Sequence, residues 1–199
     1  MPETTLSTFL RNLDSLDFTR RRMEGLFGGG QIVLRDLLPV YESLFIRAVT
    51  HFEAFLEDHF IAILEGRAGR NRARLRMKVT SRVALMEILL QGEKYLDWLP
   101  YKKTEDRAKL YFHQGGPFCE LSDGDKSTIK TIATIRNAIA HSSAHARAEF
   151  ERTVIANLAL LRGERRPAGF LRSQVRQNPA QNRFEVYVTE LARIASDLR

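Results

Sequence analysis

The feature that most constrains the fold of this chain is a stripe of large apolar residues that begins just after Pro39. Tyr41, Leu44, Phe45, Ala48, Phe52, Phe55, Leu56, Phe60 and Leu64 follow one another at helical spacing, which predicts a long amphipathic helix ending near Gly66. So broad an apolar face has to be covered by other elements, and the neighbouring sequence offers more helices. Leu6, Phe9, Leu10, Leu13 and Leu16 predict a first helix to about residue 26, broken by the glycines at 28–30. Ser81 can cap a short helix through Gln91, and a further helix is expected over 104–114 after a Trp- and Tyr-containing connection ending at Pro100. Asp125 can cap the next helix, which carries "TIATIRNAIAHSS", and another is expected over 145–162.

Two segments interrupt this pattern. "RAGRNRARLRMK", 67–78, holds five arginines and a lysine with no acid, and reads as a loop or a poorly packed extension. "RGERRPAGFLRSQVRQNPAQNR", 162–183, reads as a long irregular connection because of Pro167, Gly169 and Pro179. The start of "FEVYVTELARIASDL" alternates like a strand before Leu191, Ile194, Ala195 and Leu198 favour a helix. The expected architecture is one all-α domain over residues 1–199, a bundle with two basic insertions.

Composition narrows the class. With 199 residues and 44% hydrophobic content the chain can bury one sizeable core. The N-terminal residues lack the pattern of a signal peptide, no apolar run reaches the roughly 20 residues of a membrane span, and Cys119 is the single cysteine. A cytoplasmic protein without a membrane association is expected. The formal charge of +7 favours an anionic partner, and 24 of the 31 basic residues are arginine, the better side chain for bidentate phosphate contacts.

Arg136, Asn137 and His141 stand out because they interrupt a run of small apolar residues. On a helix Asn137 and His141 are nearly eclipsed, whereas Arg136 lies about 140° around from His141. The three converge only if His141 sits at the last turn and another surface closes over the end. An arginine five before a histidine is expected about 0.6 times by chance at this composition, so the added Asn137 and the small-residue flank carry most of the signal.

In these residues the chain resembles the HEPN superfamily, whose signature is an arginine, a polar residue, then a histidine after four to six intervening positions. "IKTIATIRNAIAHSS" is similar to that family's penultimate long helix, and "AVTHFEAFLEDHFIAIL", 48–64, to the helix packed against it. The likeness covers roughly 40–160 and is greatest to the bacterial RiboL-PSP type. It implies an up-and-down bundle of four to five main helices, a homodimer with two motifs around one cleft, and in many members a metal-independent endoribonuclease of toxin–antitoxin or phage-defence systems. It also implies a cognate antitoxin or regulatory protein as a partner. Other members only bind RNA, nucleotides or proteins.

The chemistry fits the residue types. RNA supplies its own nucleophile, the 2′-OH, so an enzyme needs a proton acceptor, a proton donor and positive charge on the phosphorane. His141 suits the proton transfers, Arg136 the phosphate, and Asn137 the orientation of the ring or the phosphate. No cofactor or metal is needed, and two copies of His141 in a dimer would act as acid and base. Arg67, Arg70, Arg72, Arg74 and Arg76 fit an RNA-binding strip that contacts phosphates. A structural alternative is that Arg136 pairs with Glu53 or Asp58 and His141 caps a helix.

Other candidates read as weaker. His141 and His145 have metal-like spacing without a third ligand nearby. His51 and His59 read as part of a solvated face or as support for Arg136, and Cys119 has no local base. "FGGGQ" lacks the lysine of a phosphate-binding loop. Tyr101, Tyr111 and Phe112 could stack bases but read as core.

Overall fold

The structure is a computed structural model describing residues 4–67, 81–90, 92–141, 143–175 and 181–198. Its described residues hold eight α-helices and one short antiparallel strand pair, an all-α bundle. Helix α1 (Thr5–Gly28) is capped by the Thr4 side chain, and α2 (Leu34–Leu64) is the longest element at 31 residues. α2 starts before Pro39 rather than after it. Asp36 in its first turn accepts the Val33 N–H at 3.2 Å, and Pro39 lies on the exposed side, where water can reach the carbonyl that its missing N–H leaves free. The helix stops as the sequence suggests, with Gly66 at φ 71°.

Contacts along α2 give the direction of its neighbours. Phe9 of α1 packs at 5.9 and 5.2 Å from Phe52 and Phe55, while Glu24 at the other end of α1 accepts from the Tyr41 hydroxyl at 2.7 Å, so α1 and α2 are antiparallel. In α8 (Arg183–Asp197), Phe184 meets Tyr41 at 5.8 Å, and Leu198 just past its end binds His59 at 2.9 Å, so α8 runs parallel to α2. α5 (Asp123–Ala140) runs against both: Asp125 in its first turn pairs with Arg193 of α8, and Arg136 near its end reaches Glu53 of α2. The order α1, α2, α5, α8 is therefore up, down, up, down. With α4 (Tyr101–Tyr111), these make five helices of eleven residues or more. α3 (Arg82–Leu90), α6 (Ala144–Phe150) and α7 (Pro167–Arg172) are shorter.

Near the C-terminal end of α2, Phe60 is surrounded by Trp98 at 5.2 Å, Tyr111 at 6.1 Å, Phe112 at 4.7 Å and Phe118 at 5.1 Å. This cluster pins α4 and the turns after it to α2. At the opposite end, Arg172 of α7 and Tyr41 both donate to Glu24, and buried Arg20 pairs with Asp17 and Glu185. Burial works against an ionised Glu24, yet those hydrogen bonds outweigh it and hold its carboxyl below the usual range.

Several local readings change in the tertiary structure. The cap of α5 is Ser122, whose hydroxyl accepts the Asp125 N–H at 3.1 Å, while Asp125 sits at the third helical position. α4 begins at Tyr101, not 104. The helix expected over 145–162 is α6 plus one π turn to Ile155. The segment 162–183 is more regular than expected. A 3-10 turn (Arg162–Arg165) leads into α7, where Pro167 takes the first helical position, whose N–H has no helical partner anyway. Gly169 is required there, because a Cβ would lie 2.0 Å from the Gly163 carbonyl oxygen. β1 (Gln174–Val175) then pairs with β2 (Gln181–Asn182). "FEVYV" is helical from the start, since Asn182 and Glu185 form a reciprocal cap.

Phe60→Ala should lower the unfolding free energy by about 3–5 kcal/mol in urea titrations. Phe18→Ala, at a ring 68% exposed on α1, should change it by no more than about 0.5 kcal/mol. Equal losses at the two positions would contradict the packed role of Phe60.

Candidate active site at the end of helix α5

α5 is divided lengthwise by its sequence. Ile129, Ile132 and Ile135 are buried and bind the helix to the bundle. Lys126, Lys130, Ala133 and Asn137 form a second stripe at spacings of three and four, and this stripe floors a half-open groove of about 490 Å³. The opposite wall is Leu99, Pro100, Tyr101, Lys102 and Glu105, from the connection into α4 and its first turns. Thr134 and Arg136 complete the lining.

The three motif residues do different things at the groove's end. Asn137 is exposed, and its side-chain oxygen accepts from Arg136 Nη1 at 3.1 Å. Arg136 is partly buried, and its Nη2 reaches Glu53 Oε2 at 3.5 Å. His141 is the C-cap residue with extended backbone, φ −117° and ψ 120°, and its N–H donates to the Asn137 carbonyl at 2.9 Å. Its ring is exposed and makes no side-chain hydrogen bond or ion pair among the described residues. Arg136 and Asn137 are thus brought together in the groove lining, while His141 is not a lining residue and follows one turn after Asn137, where the helix ends. Ser143 does not finish α5 but caps α6, accepting from Ala146 N–H at 3.2 Å. Both elements of the structural alternative are present as well: the Arg136–Glu53 pair and the capping position of His141.

Glu53 shows how far that pair is neutralised. Burial pushes its carboxyl pKa up, Arg136 opposes the rise, and Asp97 adds to it. The net direction is upward, so a cation 3.5 Å away does not repay the desolvation. Arg136 carries five N–H donors, and the contacts to Asn137 and Glu53 leave others to meet an anion entering from the groove.

The basic residues of the groove were missed as a site from sequence, although the three-to-four spacing of Lys126, Lys130, Ala133 and Asn137 was there to be read. Lys126 pairs with Glu105 at 2.9 Å, and Lys102 pairs with Asp106. Lys130 is exposed and has no carboxylate partner among the described residues. Of the arginine strip, Arg67 is exposed and paired with Glu65, while Arg70, Arg72, Arg74 and Arg76 lie outside the described residues.

The other candidates resolve into structural roles. His59 is core rather than solvated: it is 6% exposed, stacks on Phe55 at 5.4 Å, and burial lowers its pKa, so the neutral ring donates to the Leu198 carbonyl. His51 lies beside Asn12, and Glu57 accepts from the Trp98 indole at 2.9 Å. Tyr101, Tyr111 and Phe112 are buried, with the Tyr101 hydroxyl on the Phe118 carbonyl at 2.9 Å. The Cys119 thiol is pushed up in pKa by burial, which disfavours the thiolate a nucleophile needs. Among the described residues no three His, Cys, Asp or Glu side chains are grouped to hold a metal ion, and no helix is long and apolar enough to cross a membrane.

Comparison of the chain with protein-family models, with curated proteins and with solved structures finds no match. The functional reading therefore rests on the residues and geometry described above.

A raised carboxyl pKa in the folded state means stability is fully present below the unfolded value, about 4.3 for Glu, and is lost as pH rises through the folded value. Glu53→Gln should therefore gain stability relative to the wild type between pH 4 and pH 7, read as the difference in urea midpoints. A difference that does not change with pH would mean that Glu53 is not desolvated.

Proposed function

We propose that this chain is a metal-independent endoribonuclease of the HEPN type, acting as a homodimer in the cytoplasm as a toxin or phage-defence effector. The observation that carries the proposal is the convergence of Arg136 and Asn137 in a groove bordered by lysines, with the exposed His141 ring one turn further on, where α5 ends. In the reaction His141 of one protomer removes the proton from the 2′-OH. The oxygen attacks phosphorus, and the bond to the 5′-oxygen breaks. His141 of the partner subunit protonates the leaving oxygen, giving a 2′,3′-cyclic phosphate and a 5′-hydroxyl. Arg136 stabilises the negative charge on the phosphorane, and Asn137 orients Arg136 through the bond it already accepts.

The Arg136–Glu53 pair and the helix-end position of His141 favour a second reading, a catalytically silent module of the same type that binds RNA or a partner protein such as an antitoxin. The readings part on one experiment. Wild-type and His141→Ala protein are incubated with end-labelled RNA in excess EDTA and the product ends are identified. Cleavage by the wild type alone, leaving cyclic phosphate ends, is expected, with a loss of at least about 100-fold in the variant. RNA that stays intact with both proteins while both bind it would support the silent module instead.

A further inference from the structure

We propose that the groove between α4 and α5 is a single-nucleotide slot, in which Leu99, Pro100 and Ala133 hold one unstacked base and Lys130 with Arg136 holds its phosphate. The choice of RNA as the source of that nucleotide rests on the cleavage reading, whereas the slot itself is argued from its walls. Its volume of about 490 Å³ lies in the range of roughly 300–1,000 Å³ typical of small-molecule pockets, and most of its surface is carbon. Ala133 sets the depth. It sits on the groove stripe between Lys130 and Asn137, and a larger side chain at that position would fill the space against Leu99 and Pro100.

The charges around the groove are unevenly spent. Lys102 and Lys126 are matched by Asp106 and Glu105. Lys130 has no carboxylate partner among the described residues, and Arg136 donates to Asn137 at 3.1 Å and reaches Glu53 only at 3.5 Å, which leaves further N–H donors for a phosphate. An apolar cleft with two available cations beside it matches a flat base joined to a phosphate better than it matches a simple anion or a purely apolar ligand. A base paired within a duplex cannot leave its stack without a cost in pairing and stacking, so the slot selects unpaired nucleotides. It places the selected base about one helical turn before Asn137, on the approach to His141.

Titration of the full-length protein with adenosine 3′-monophosphate, ribose 5-phosphate and inorganic phosphate tests this, with heat of binding as the readout. The nucleotide should bind at least about tenfold more tightly than either probe lacking a base. Ala133→Trp should weaken it about tenfold or more, and Lys130→Ala, at an exposed position that folding does not need, should weaken the nucleotide and ribose 5-phosphate alike. Equal affinity for nucleotide and inorganic phosphate would overturn the slot, as would unchanged nucleotide binding by a folded Ala133→Trp protein. Failure of the slot is separable from failure of the cleavage reading. RNA cleavage without base-dependent binding removes only the slot, and base-dependent binding without cleavage retains it while removing the nuclease.

Discussion

The aromatic face of α2 can be buried only by several partners at once, and each partner fixes a different part of the molecule. Phe52 and Phe55 are covered by Phe9 of α1, Tyr41 and Phe45 by Phe184 of α8, and Phe60 by the ring cluster from 98 to 118. Because these contacts lie at different heights along one helix, they set the direction of each neighbour as well as its position. The polar network of Arg20, Glu24, Tyr41, Arg172 and Glu185 then closes the end of the bundle that the aromatic cluster does not reach.

The candidate site is a consequence of that packing. Burying the isoleucines of α5 against the bundle turns Lys126, Lys130, Ala133 and Asn137 toward the connection into α4, which the Phe60 cluster holds in place. Arg136 comes from neither stripe. Its length lets it span from Asn137 to Glu53, and the upward shift of the Glu53 carboxyl shows that burial outweighs the attraction between them. A guanidinium held in direction by Asn137 and Glu53, with further N–H donors left over, is suited to receive a phosphate.

Where local signals agreed with the packing, the elements were legible in the sequence. The first helix, its glycine break, the end of α2 at Gly66 and the capping of α3 by Ser81, whose hydroxyl accepts the Ala84 N–H at 3.3 Å, follow from residues close together in the chain. The misreadings share a cause. Pro39 is tolerated inside α2 because it lies near the helix start on the exposed side, "FEVYV" is drawn into a helix by its cap and by burial of Phe184 and Val188, and Ser122 displaces Asp125 as the cap of α5. The tolerance of Pro39 and the burial of Phe184 and Val188 depend on which face meets the core, which a local window does not contain, whereas the caps by Ser122 and Asn182 are local choices between competing signals.

The site divides in the same way. The sequence by itself determined that the chain is helical, that α2 carries a stripe demanding partners, and that Arg136, Asn137 and His141 follow one another closely along one helical stretch, because periodicity and residue type are local properties. Only the tertiary structure decided that Arg136 faces Glu53 rather than Asp58, that His141 ends the helix with a free ring, and that Leu99, Pro100 and Lys102 complete a groove with Lys130 and Ala133. Those relations join residues tens of positions apart, and they exist because burial of the aromatic core holds α2, α4 and α5 at fixed distances from one another.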